Sequence, residues 1–259
     1  MPPEVRRALE VALGPGGPGT SPGLGDPGPS TASSAIGGLG GFMGLGDIGL
    51  PGPGPGVPAH PAIDERRAAA LRTLGALATL PSSSAVAAEE ALHRVLLEAA
   101  GDEVAALRDA AAEALWNSWH ASGDEAVDAI LKRGSTLMER QKLEEAIGVL
   151  SELVELAPSF AEGWNKRATA YFLLDDFQRS VADCARVLEL KPRHFGCLSG
   201  LGMCHQAQGN SEEALKWFKE ALRVHPGLDG PRLLAERIEQ AALVNRKLRP
   251  QIVRVAQAL

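Results

Sequence analysis

The sequence predicts an all-α fold, a solenoid of stacked helical hairpins with flanking helices and a Gly/Pro-rich N-terminal tail. Three observations carry this. Pro158, Pro192 and Pro226 recur at a spacing of 34, each closing a helical segment (LVELAP, VLELKP, ALRVHP). Segments 127–160, 161–194 and 195–228 align beneath one another without a gap. Within each segment the apolar residues recur three and four apart, which is helical and not strand periodicity.

Taken in chain order, residues 1–61 form the tail. Residues 14–58 hold 17 Gly and 9 Pro in 45 positions, too little apolar side chain to offset the entropy of ordering, so disorder is expected. At its start, Pro3 to Leu13 allows a short helix with Val5, Leu9, Ala12 and Leu13 on one side and Gly14 as its stop, set against a plainly disordered N-terminus. Residues 62–125 form a helical flank, with helices over 64–80, 84–99 and 103–121 separated by Pro81-Ser82-Ser83 and Gly101-Asp102. These helices are expected to extend the superhelix. Counting back one period puts Ala112 and Trp116 at positions twenty and twenty-four, so 103–121 reads as the second helix of a degenerate fourth hairpin.

The three repeats fill 126–230. Position eight is small (Gly134, Ala168, Gly202) and position twenty-four takes Leu150, Cys184 and Phe218, so large residues face small ones between two antiparallel helices. Turns are expected at Asp175-Asp176 and Gly209-Asn210, with Gln141 a weaker signal. A capping helix over 231–249 follows, with Pro231 in its first turn and Leu234, Ile238, Ala241 and Ala242 at helical spacing. It should cover the open end of the array and stop before Pro250, leaving 250–259 as a tail.

The 34-residue period, the small–large alternation and the closing proline together resemble the tetratricopeptide repeat. The string EALWNSWHASGD, which leads into the repeats, resembles a segment of bacterial and organellar repeat proteins of unassigned function. Arg133 and Arg167 stand where the family prefers Leu, and their stems are expected to cover the core while the guanidinium reaches water. The resemblance implies a concave groove lined by the first helix of each hairpin, with Leu131, Ser135, Met138, Asn165, Lys166, Thr169, Phe172, Met203 and Gln206 as its peptide-binding residues. It implies a protein-binding scaffold, an assembly factor or adaptor for an apolar or amphipathic segment of another protein. Phe172 and Leu173 have the alternative of packing between neighbouring repeats. A co-chaperone clamp for an acidic chaperone terminus is the rival, but the positions matching its clamp are Leu131, Ser135, Lys166, Gly196 and Gly200, one cation in five. An RNA-binding helical repeat would need a 35-residue period and a basic groove.

Charge agrees. The net is −2 over 1–62, −6 over 63–125, −2 over 126–230 and +4 over 231–259, so the balance argues against a nucleic-acid role for the main domain without excluding the basic C-terminal block. Three cysteines (Cys184, Cys197, Cys204), all on expected helices, suggest reduced thiols and an intracellular compartment, cytoplasm or organelle interior. With no run of 18 apolar residues and no signal-peptide core, a soluble protein without a membrane span is expected. No catalytic, cofactor or metal site is expected. Cys197 and Cys204 are seven residues apart on one helix, about 10 Å along its axis, too far to share a zinc ion with His194 and His205. Asp175 and Asp176 share a turn and point different ways.

Overall fold

The computed structural model describes residues 1–13, 65–80, 83–98 and 104–258; the expected disorder of 14–61 lies outside the described residues. Among the described residues every regular element is an α-helix: α1 (Pro3–Leu13), α2 (Glu65–Ala78), α3 (Ser83–Glu98), α4 (Val104–His120), α5 (Glu125–Glu139), α6 (Leu143–Leu156), α7 (Ala161–Leu173), α8 (Phe177–Leu190), α9 (Phe195–Ala207), α10 (Ser211–Val224) and α11 (Asp229–Ala258).

The pairs α5/α6, α7/α8 and α9/α10 are the three hairpins, and their register shows at two positions. At position fifteen the chain enters the left-handed region each time, at Gln141 (φ 59°), Asp175 (φ 59°) and Gly209 (φ 79°). This reverses the chain between the helices of each hairpin, so Gln141 is a turn residue despite its side chain. At position eight a Cβ on Gly134 would come within 2.6 Å of Leu150, and one on Gly202 within 2.5 Å of Phe218. Leu150 and Phe218 are fully buried, so each glycine exists to admit the large residue opposite it. Where the opposite residue is the smaller Cys184, an alanine, Ala168, is accommodated.

The starts of α5, α8 and α9 are capped by the side chain that precedes them. Asp124 Oδ1 accepts from the Ala126 N–H at 2.8 Å, Asp176 Oδ1 from the Arg179 N–H at 3.1 Å and His194 Nδ1 from the Cys197 N–H at 3.0 Å, each satisfying a donor that the first turn leaves orphaned. Arg167 departs from expectation. Its guanidinium does not reach for water but makes a two-pronged pair with Asp183 (Nε to Oδ2 2.7 Å, Nη2 to Oδ1 2.8 Å) beneath the Trp164 ring, 4.9 Å away. Arg133 is exposed.

Both flanks correct the sequence-based boundaries. The chain's first helix is no loose tail: Val5, Ala8, Leu9 and Ala12 are buried in one core with Leu71, Leu74, Leu92 and Leu96, and Arg67 donates to the carbonyls of Ala12 and Leu13, each at 3.0 Å. Nor do α2–α4 continue the superhelix beyond the first repeat. A stacked hairpin would lie along α5, whereas α4 meets α7, α3 meets α10, and the flank's core runs on into Phe195, Leu198, Ala221 and Val224 of the third repeat. The flank is therefore a four-helix layer folded back across the array. At the other end, Leu234, Ala235 and Ile238 of α11 join the third repeat's core as the expected cap. The helix does not stop before Pro250 but continues to Ala258.

Candidate functional site

The first helices of the repeats, α5, α7 and α9, carry the nine residues that the resemblance assigns to an inner face, and these fall into three groups. Leu131 and Met138 are buried in the first repeat's core with Val127, Leu143 and Leu150. Asn165, Lys166 and Thr169 of α7, and Met203 of α9, are buried as well. Ser135, Phe172 and Gln206 are half-buried. Phe172 packs on the core between the second and third repeats and against Phe177, with ring centroids 5.7 Å apart, and Leu173 packs on the first repeat's core. Inter-repeat packing thus claims part of both.

The polar members centre on a carboxylate. Glu162, one turn before Lys166, has 0% exposure. Asn165 Nδ2 donates to both its oxygens at 3.2 Å, and Lys166 Nζ stands 3.9 Å away. Two histidines complete the shell: His120 Nε2 at 3.1 Å from α4 and His194 Nε2 at 3.4 Å from the cap of α9.

The hydrogen bonds determine the protons. His120 Nδ1 lies 2.9 Å from the Trp116 carbonyl, which only accepts. Nδ1 therefore carries a hydrogen, and the carboxylate facing Nε2 favours the charged, doubly protonated ring. Burial works against that charge, but the charge and hydrogen bond of Glu162 overcome it and raise the His120 pKa. Burial would likewise raise the Glu162 pKa, yet His120, the His194 hydrogen bond and Lys166 hold it well below the usual carboxylate range. In His194, Nδ1 accepts from the Cys197 N–H, so the hydrogen of a neutral ring sits on Nε2, towards Glu162.

Apolar packing holds α4 over this centre. Trp119 stacks on His194 at 4.2 Å between centroids and lies 5.0 Å from Phe195. Trp116 lies over Phe195 at 6.2 Å, and a Cβ on Gly196 would come within 3.2 Å of it, so the glycine is what lets the indole approach. At the rim, Glu89 accepts from Trp119 Nε1 at 3.1 Å and pairs with Lys191, and Glu90 pairs with Arg193. Trp116, Trp119, His120 and His194 were missed from sequence as site residues. The signal was present in the two tryptophans three apart ahead of a histidine, but it does not say which repeat they reach.

No group of three metal-ligating residues is found among the described residues. Cys197 Sγ donates to the Cys184 carbonyl (3.2 Å) and Cys204 Sγ to Ser180 Oγ (3.3 Å). Burial pushes the Cys197 thiol well up and that of Cys204 to about 12, so both behave as core thiols. Among the described residues no helix is long and apolar enough to cross a membrane.

Tetratricopeptide-repeat models match residues 128–159 and 159–227; the chain carries tetratricopeptide repeats over this region. It is 32% identical over 108 residues to a TPR repeat-containing protein of Rhizobium etli, covering 42% of this chain and 53% of that one. It is 30% identical over 92 residues to the small glutamine-rich tetratricopeptide repeat-containing protein 2 of Saccharomyces cerevisiae, 36% of this chain and 27% of the other. The chain thus spans about half the length of the first relative and about a quarter of the second. Among solved structures, the first TPR of Spaghetti (RPAP3), bound to an HSP90 peptide, is 24% identical with a TM-score of 0.44, covering 45% of this chain and 93% of that one.

Proposed function

We propose that the protein is a non-enzymatic interaction scaffold or adaptor whose inner repeat face holds an apolar or amphipathic helical segment of a partner protein. The observation that carries this reading is the seating of α4. The face already engages one amphipathic helix, using His194 and Phe195 against two indoles and Glu162 against a cation, which is the helix-in-groove mode of recognition. Beyond α4, Ser135, Phe172 and Gln206 remain half-buried. Asn165 Oδ1 and Gln206 Oε1 are buried acceptors without a donor among the described residues, suited to N–H groups of an incoming segment.

The acidic-terminus reading draws on relatives such as the Hsp70-Hsp90 organizing protein of Triticum aestivum, 26% identical over 103 residues. It lacks the charges: of Leu131, Ser135, Lys166, Gly196 and Gly200 only Lys166 is a cation, and it already faces Glu162. The test is amide hydrogen exchange on the full chain with and without synthetic amphipathic helical peptides. Protection gained along α7 and α9 supports the reading. Protection confined to other helices, or seen only with peptides ending in two acidic residues, contradicts it.

A further inference from the structure

Histidines collect at the seam between the flank and the repeats: His93 comes from α3, His120 from α4, His194 from the start of α9 and His225 from the end of α10. His120 and His194 serve Glu162. The other two have no carboxylate of their own. His93 is 1% exposed, its ring lies 6.3 Å from Trp119, and neither of its nitrogens has a hydrogen-bond partner among the described residues. The buried His225 meets Phe195 in a T-shaped contact at 5.0 Å, and its Nδ1 accepts from the Gly227 N–H at 3.2 Å. A second proton on that ring therefore breaks the bond to Gly227.

Charging either ring places a cation where the nearby anions are already engaged. His93 faces Glu89 on its own helix, Lys191 at the end of α8 and His194 at the start of α9, and Glu89 is paired with Lys191. His225 faces Arg108 of α4, His93 of α3 and Asp229 of α11, and Asp229 is exposed and stands 3.6 Å from Arg232. The two rings also face each other across the seam. Burial above all lowers both pKa values to about 4.

The flank is able to leave as one body. Its four helices share buried Val5, Leu9, Leu71, Leu74, Leu92 and Leu96, and Arg67 ties α1 to α2. Only residues 121–124 join it to α5, with Gly123 in the left-handed region at φ 83°. We infer that the flank is a proton-released cover: acid charges His93 and His225, and the α1–α4 layer swings off the second and third repeats about residues 121–124, uncovering Glu162, Asn165 and Lys166. The release belongs to the chain alone and does not depend on the peptide-binding reading. With each ring near 4 in the seated flank and at 6.5 once in water, going from about pH 7 to about pH 5 raises the released-to-seated ratio about twentyfold per histidine. His120, whose pKa is raised in the seated state, pulls the other way, one ring against two.

The experiment uses the full chain with Val86→Cys on α3 and Lys216→Cys on α10, both exposed, carrying a donor and an acceptor dye. Cys184, Cys197 and Cys204 are buried and escape the label. The dye separation is expected to lengthen between about pH 6 and about pH 4.5 while the helical circular dichroism signal is kept. With His93→Gln and His225→Asn together, the released-to-seated ratio at about pH 5 should fall at least tenfold. His225→Asn alone keeps an acceptor for the Gly227 N–H and should move release to lower pH, so it carries the test if the double variant does not fold. Three outcomes overturn the proposal: a constant separation down to about pH 4.5, helicity lost together with the dye contact, or release of the variants over the wild-type range.

Discussion

His120 Nε2 lies 3.1 Å from a Glu162 oxygen that has no contact with solvent, and this contact joins α4 to the inner face of the second repeat. The His120 pKa is raised in the folded chain, so its stabilising contribution is complete below the ordinary histidine value and is lost as pH rises through the folded value. His93 and His225 act oppositely. Burial lowers both to about 4, so between about 6.5 and 4 the unfolded chain binds more protons and stability is lost as the pH is lowered through that range. Stability should therefore peak near neutrality. His120→Asn should remove the loss on the alkaline side and leave the acid limb, as followed by denaturant titrations with Trp116 and Trp119 fluorescence. An unchanged alkaline limb would contradict the assignment.

Removing the carboxylate should cost more than removing either histidine, because it strips Asn165, Lys166, His120 and His194 of their common acceptor. Glu162→Gln is expected to destabilise the protein by on the order of 3 kcal/mol, as breaking a buried ion pair does. The indoles should redden in emission as α4 loosens. A loss under about 0.5 kcal/mol, the range of surface substitutions, would mean that Glu162 is not the centre of the contact.

Gly202→Ala should destabilise the third repeat by roughly 1–3 kcal/mol through overpacking, since its methyl would stand 2.5 Å from the Phe218 ring. Combining it with Phe218→Leu should recover part of that loss, a coupling that a double-mutant cycle measures.

Gln141→Gly should raise the melting temperature, because φ 59° costs an L-residue about 1 kcal/mol that glycine avoids. The same change at Asp175 should gain less, since aspartate tolerates this region better.

The repeats were legible because their packing is local and periodic: Gly134, Ala168 and Gly202 report their partners Leu150, Cys184 and Phe218 sixteen residues away. Even the turn at Gln141 follows from the period, though not from its side chain. The flank was legible as helices but not as a layer folded back on the third repeat. Trp116 has a helical neighbourhood in any arrangement, and nothing in the spacing links it to Gly196, eighty residues on. Asn165, Lys166 and Thr169 were placed on the inner face from the repeat register, which says nothing of what else the chain folds over that face. The continuation of α11 was missed because Pro250 reads as a stop. An interior proline loses one helical hydrogen bond and crowds the carbonyl four residues back, which is why it reads as a stop, and α11 nonetheless continues through it to Ala258.

On the proposed reading the inner face recognises an amphipathic segment through packing and not an acidic terminus through charge. Fluorescence anisotropy with labelled peptides tests it, using the wild-type chain, Phe172→Glu, Ser135→Arg and Lys166→Glu, each checked for helicity by circular dichroism. An amphipathic helical peptide should bind the wild type and lose at least tenfold in affinity with Phe172→Glu and with Ser135→Arg, about 1.4 kcal/mol, while peptides ending in two acidic residues should bind no better than scrambled ones. Tight binding of such an acidic peptide, lost with Lys166→Glu and indifferent to Phe172→Glu, would contradict it.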